Sequence, residues 1–164
     1  MNILNNLKSL AVIAIATMAF TSCSKEQTSL SIDDIQGKAR IKGTLTYSEG
    51  FDKNYREISK TATNTTIWVK ISNASLSPKG QAHGYTTFET ATDAKGEYEI
   101  EVPVSENGTN IIIQPQAFTG KRYDRPADET IEGVFEKEVT LYSVTPNQIK
   151  CMNIKYGFTP QINN

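Results

Sequence analysis

Few side chains in this sequence carry reactive chemistry, and their types limit what it can do. His83 is the only histidine, and Cys23 and Cys151 are the only cysteines, in 164 residues. A metal centre built on imidazole, or a Cys–His nucleophile, needs partners that the sequence does not place near either group. His83 lies in the Gly80–Gly84 stretch, where an exposed polar loop residue is the simpler expectation. The sequence has neither a Gly-rich phosphate loop nor a calcium loop of alternating acids. No catalytic residue, metal ligand or cofactor is therefore expected. Cys151 falls in an alternating stretch and reads as a small buried apolar residue rather than a reactive thiol.

Binding is the better-supported chemistry. Trp68 is the only tryptophan, and strict alternation places it opposite Ile67, Val69 and Ile71. If those three face a core, Trp68 points outward beside Lys70, offering a flat apolar ring and an N–H donor for recognition. Phe51, Tyr55 and Ile58, from the long connection between Tyr47 and Thr65, could instead fold back and cover that outward ring, which is the arrangement we expect. A second candidate is the stretch Thr119–Asp128, expected as a loop, which holds Lys121-Arg122-Tyr123-Asp124-Arg125-Pro126. There Arg122 and Arg125 could clamp a carboxylate or an anionic sugar while Tyr123 stacks on a ring. The alternative, which we favour, is that the opposite charges of this loop pair with each other.

The elements that must position these groups are strands. Formal net charge is −1, a balance that gives no global field to attract a phosphate backbone, so no nucleic-acid partner is expected. From residue 39 onward the dominant period is two. Strands are predicted at Ala39–Tyr47, Thr65–Ser72, Tyr85–Ala91, Gly96–Pro103, Asn110–Ala117, Thr130–Leu141 and Gln148–Phe158. The cleanest alternates Tyr98, Ile100 and Val102 against Glu97, Glu99 and Glu101. Asp93-Ala94-Lys95-Gly96 reads as a structural turn in which Gly96 takes a left-handed conformation that a side chain would disfavour. Glu106-Asn107-Gly108 and Thr145-Pro146-Asn147 read as further turns. The fold class is therefore all-β: one seven-stranded antiparallel β-sandwich of Greek-key type, over 38–158, with 159–164 as a tail.

Ahead of that domain, Lys8 precedes the apolar run Leu10–Phe20, which is too short to cross a bilayer and has the form of a signal peptide. Phe20-Thr21-Ser22-Cys23 closes it, and here the sequence resembles bacterial lipoprotein signal peptides. The resemblance implies that residues 1–22 are removed and that lipid is attached to Cys23. Residues 23–37 then form the lipidated N-terminus and a solvated tether. An ordinary secretory signal cut near Ser22 or Ser24, with Cys23 incidental, is the alternative. Ser24-Lys25-Glu26 resembles the tags that send some lipoproteins to the outer face of the outer membrane, with plain linker as the alternative.

The domain itself resembles the carboxypeptidase regulatory-like and transthyretin-like β-sandwiches. The resemblance rests on Ile41-Lys42-Gly43-Thr44-Leu45 and on the run from Thr92-Asp93-Ala94-Lys95-Gly96 through Tyr98 to Pro103. It implies the fold and says almost nothing about activity. Some transthyretin-like proteins open a purine-derived ring with several histidines, which a chain holding His83 alone cannot repeat. The expected function is a lipid-anchored, non-enzymatic module of the bacterial envelope that binds a glycan or a protein. A structural subunit assembled by strand addition is the second reading, and an envelope hydrolase the third.

Overall fold

A computed structural model describes residues 37–77 and 82–161. The predicted signal peptide, Cys23 and the tether lie outside the described residues. The spine is β1 (Gly37–Phe51), whose Ala39, Ile41 and Leu45 are buried while Lys38, Arg40 and Lys42 stay exposed. After it come β2 (Glu57–Thr61), β3 (Thr66–Ser72), a single helical turn α1 (Asn73–Leu76), β4 (Tyr85–Ala91) and β5 (Glu97–Val104). Then follow β6 (Thr109–Pro115), β7 (Phe118–Asp124), β8 (Glu129–Glu136), β9 (Leu141–Val144), β10 (Ile149–Cys151), β11 (Ile154–Lys155) and β12 (Gly157–Pro160).

The strands form two sheets, and the all-β sandwich read from the alternation is what the structure shows. The smaller sheet has the order β4-β3-β6-β9, antiparallel throughout. The larger is built around β1, which is hydrogen-bonded along both edges. One edge takes β5 and then β2, both antiparallel. The other takes β10, β11 and finally β7, all parallel to β1, and β7 continues into β8 and β12. The described residues hold twelve strands rather than seven, and the larger sheet is mixed rather than antiparallel. Strands β2, β7 and β9 are additional to the predicted set, and the predicted C-terminal strand breaks into the short pieces β10, β11 and β12. At one break the Thr44 N–H is satisfied by Asn153 Oδ1 at 3.1 Å instead of by a backbone carbonyl.

Ile67, Val69 and Ile71 of β3 and Ile111 and Ile113 of β6 face Ile41, Leu45, Val102 and Val104 across the sandwich in one buried cluster. At one end of the larger sheet an aromatic cluster joins Tyr47, Phe118, Phe135, Tyr156 and Phe158, with neighbouring centroids 4.9–5.3 Å apart. The β4–β5 turn forms as predicted. Gly96 has φ +76°, and Asp93 Oδ1 accepts from the backbone N–H groups of Lys95 at 2.8 Å and Glu97 at 2.9 Å. Those bonds, the one from Glu97 foremost, hold the Asp93 carboxyl below its ordinary pKa. A β-carbon on Gly96 would stand 2.6 Å from that of Thr61.

Two phenols are used as core fasteners. Tyr98 donates to the Met152 carbonyl at 2.7 Å, and Tyr156 to the Gln116 carbonyl at 2.5 Å. Desolvation raises the pKa of both well above the usual tyrosine value. The folded protein therefore keeps these protons at a pH where the unfolded chain has lost them. The stabilisation is complete below the ordinary tyrosine pKa of about 10 and drains as pH climbs from there toward the folded values. The urea midpoint is expected to fall steadily above about pH 10, and the Tyr98→Phe/Tyr156→Phe double variant should flatten that fall. Parallel pH profiles for the two proteins would contradict the assignment.

Candidate functional site

Trp68 projects from the outer face of the smaller sheet, opposite the buried Ile67, Val69 and Ile71, as alternation requires. Its register partners are Glu89 on β4 and Gln114 on β6. The indole Nε1–H donates to Glu89 Oε2 at 3.0 Å, and Lys70 Nζ donates to Gln114 Oε1 at 2.8 Å. These cross-strand bonds fix the ring on its sheet and leave Trp68 half-buried. By register Tyr85 and Leu141 lie on the same face, both more than half exposed. The outcome is an immobilised aromatic platform in a row of amide, carboxylate and ammonium groups, with further apolar side chains at either end.

The connection expected to cover Trp68 does something else. Residues after Tyr47 extend β1 and turn back as β2 in the larger sheet. The turn is held by Asp52 Oδ1, which accepts from the N–H groups of Asn54 at 2.8 Å and Arg56 at 2.9 Å. Phe51 and Tyr55 are taken up by arginines instead of by the indole. The Arg122 guanidinium sits 5.8 Å from the Phe51 ring centroid and 5.6 Å from that of Phe158, and Arg125 sits 5.4 Å from that of Tyr55.

The cationic segment is likewise not a loop. It forms the hairpin of β7 and β8, turning through Arg125–Asp128 with Asp128 at φ +54°. Within it Lys121 pairs with Glu132 at 3.0 Å, and the Tyr123 phenol donates to Asp128 Oδ1. Arg125 Nη2 donates to the Lys53 carbonyl at 3.3 Å, which ties this hairpin tip to the β1–β2 tip. The opposite charges of the segment do not pair with each other as expected: Lys121 reaches across to β8, and Arg122 and Arg125 act as clasps between two hairpins. The hidden signal was a polar strand pair around Arg125-Pro126-Ala127-Asp128, whose inward positions hold Gly120 and Arg122 in place of aliphatic side chains.

Cys151 corrects an expectation, because it is exposed rather than buried. In this stretch Met152, Ile154 and Tyr156 take the inward positions, and Cys151 stands beside Lys42 on the outer face. His83 is exposed, and its backbone carbonyl accepts from Asn73 Nδ2 at 2.9 Å. Among the described residues no three His, Cys, Asp or Glu side chains converge into a metal-binding group. Among known proteins, no family model matches this chain, and no curated protein resembles it closely in sequence.

Proposed function

We propose that this protein is a lipid-anchored, non-enzymatic binding module of the bacterial envelope, displaying its sandwich to a glycan or protein partner. The observation that carries the binding role is the Trp68 platform. An indole pinned by Glu89 and flanked by Gln114 and Lys70 meets a ligand with little further loss of side-chain entropy. Exposed Tyr85 and Leu141 widen the same face, where isolated apolar residues would need no explanation. The anchor is lipid on Cys23, holding the domain to the outer membrane, with Lys25-Glu26 directing it to the outer face. Strand addition is disfavoured at β2, which carries Glu57 and Lys60, charges of the kind that guard sheet edges.

Because Trp68 is the only tryptophan, its fluorescence reports on the platform directly. Titration with purified envelope polysaccharides and surface proteins is expected to shift or quench its emission, with Trp68→Phe weakening binding at least about tenfold. Partners that bind with unchanged emission and full affinity for the variant would overturn the platform. The anchor is tested separately by protease shaving of intact cells. Wild type should be membrane-bound and digested, and Cys23→Ala released from the membrane. Retention of Cys23→Ala in the membrane would refute lipidation. Protection of wild type until lysis would place its partners in the periplasm and refute surface display.

A further inference from the structure

Two of the connections that carry the chain between the sheets run side by side at one end of the sandwich. Thr61–Thr65 leads from β2 to β3, and Gln116–Ala117 leads from β6 to β7. Together with Tyr47 and Phe118 they line an open cleft of about 360 Å³. That is at the small end of the roughly 300–1,000 Å³ typical of ligand pockets. From its position and lining, we infer that this cleft is a second binding site, separate from the Trp68 face, for an uncharged saccharide.

The lining decides the ligand class. Its residues are Tyr47, Thr61, Ala62, Thr63, Asn64, Thr65, Gln116, Ala117 and Phe118, and none is charged. A carboxylate, phosphate or ammonium ligand would find no ion-pair partner here and would lose hydration on entry. A purely apolar ligand would strand the hydroxyls of Thr61 and Thr63 and two amides. A sugar matches both halves of the lining. Its C–H groups suit the apolar surface of Tyr47 and Phe118, and its hydroxyls suit amide and hydroxyl groups that both donate and accept. Among the described residues, the side-chain amides of Asn64 and Gln116 make no hydrogen bond to protein, and both residues are exposed.

The walls are also rigid. Thr92 is buried, and its hydroxyl donates to the Ala62 carbonyl at 2.7 Å while accepting from the Thr65 N–H at 2.9 Å. The Thr92 backbone completes the clamp, its carbonyl accepting from Asn64 N and its N–H donating to the Thr65 carbonyl, both at 3.0 Å. Across the cleft, the backbone of Gln116 is held by Thr66 and by the Tyr156 phenol. Tyr47 and Phe118 stand edge to face at 5.3 Å, each packed on the aromatic cluster below. The concavity is therefore built into the fold, and a ligand would not have to shape it.

The test is backbone-amide NMR on the full chain, titrated with maltose, cellobiose and N,N′-diacetylchitobiose, with a charged saccharide and an uncharged peptide as comparators. The expected result is saturable shifts at residues 61–65 and 116–118 for at least one neutral disaccharide. Gln116→Ala and Asn64→Gly should each weaken that binding about tenfold, as for one lost hydrogen bond, with the melting temperature unchanged. Both variants keep the backbone bonds, and glycine tolerates the φ of +50° at Asn64. Shifts confined to the Trp68 face, preference for the charged saccharide or the peptide, or variants that bind as wild type would each overturn the assignment. Since Trp68 does not line the cleft, binding here with silent tryptophan emission separates this site from the platform.

Discussion

Replacing Phe135 by alanine is expected to cost about 3–5 kcal/mol of folding stability, the range for truncating a buried aromatic. Phe135 is 1% exposed and stacks on Phe118 at 4.9 Å, with Tyr47 at 5.1 Å and Phe158 at 4.9 Å. Those rings come from β1, β7, β8 and β12, so one side chain joins the β7–β8 hairpin to the spine. A domain of this size typically has about 5–15 kcal/mol in hand, and the variant would lose much of it. The urea midpoint should drop with little change in slope, and hydrogen exchange should quicken first in residues 118–136. Phe135→Leu, which keeps most of the volume, should recover the larger part. A loss below about 1 kcal/mol for Phe135→Ala would mean that the cluster is surface decoration rather than core.

The same cluster shows why some of the fold was legible in the sequence and some was not. β4 occupies the residues the alternation marks, Tyr85–Ala91, and β3 and β5 begin within a residue of their predicted starts. Each has one face on the core and one on solvent, which is the condition that writes a period of two into a sequence. β2 lacks that contrast, since Glu57, Ser59, Lys60 and Thr61 are all exposed. β7 was missed because Arg122 turns inward, covering Phe51 and Phe158 with its planar cation where a core strand would place an aliphatic chain. In the C-terminal segment both parities are apolar, Ile149 and Cys151 on one and Met152, Ile154 and Tyr156 on the other. Alternation could not say which was buried, and Cys151 was misjudged for that reason.

The candidate sites divide along the same line. The outward direction of Trp68 follows from local period and was readable. Its freedom from cover depends on where the β1–β2 hairpin docks, a long-range choice that no local pattern records. The cleft was invisible in the sequence, because Thr61–Thr65 and Gln116–Phe118 meet only where two of the sheet-to-sheet connections lie together, and neither segment holds a recognisable motif. A threonine-rich connection reads as solvated loop until its facing wall is known.

Gly43→Ala is the other substitution expected to be severe, and its cause lies in the parallel pairing that alternation cannot show. Gly43 sits in mid-strand, where glycine ordinarily weakens a sheet. A β-carbon there would come 1.9 Å from the Met152 carbonyl oxygen and 2.5 Å from its carbon, atoms of backbone that cannot rotate away. That carbonyl belongs to the link that runs alongside β1 between β10 and β11. It accepts from Tyr98, while the neighbouring Met152 N–H donates to Lys42 at 2.7 Å and Asn153 satisfies Thr44. Making room for one methyl group therefore displaces a link held by three hydrogen bonds, and relief through side-chain movement is closed. The expected loss is about 3 kcal/mol or more, at the upper end for overpacking. Exchange should quicken at Thr44 and Met152, whose N–H groups lose their acceptors, and the tyrosine spectrum should report the freed Tyr98 phenol. An alanine variant as stable as wild type would show that the C-terminal segment can leave β1 without cost, and the parallel register would then be wrong.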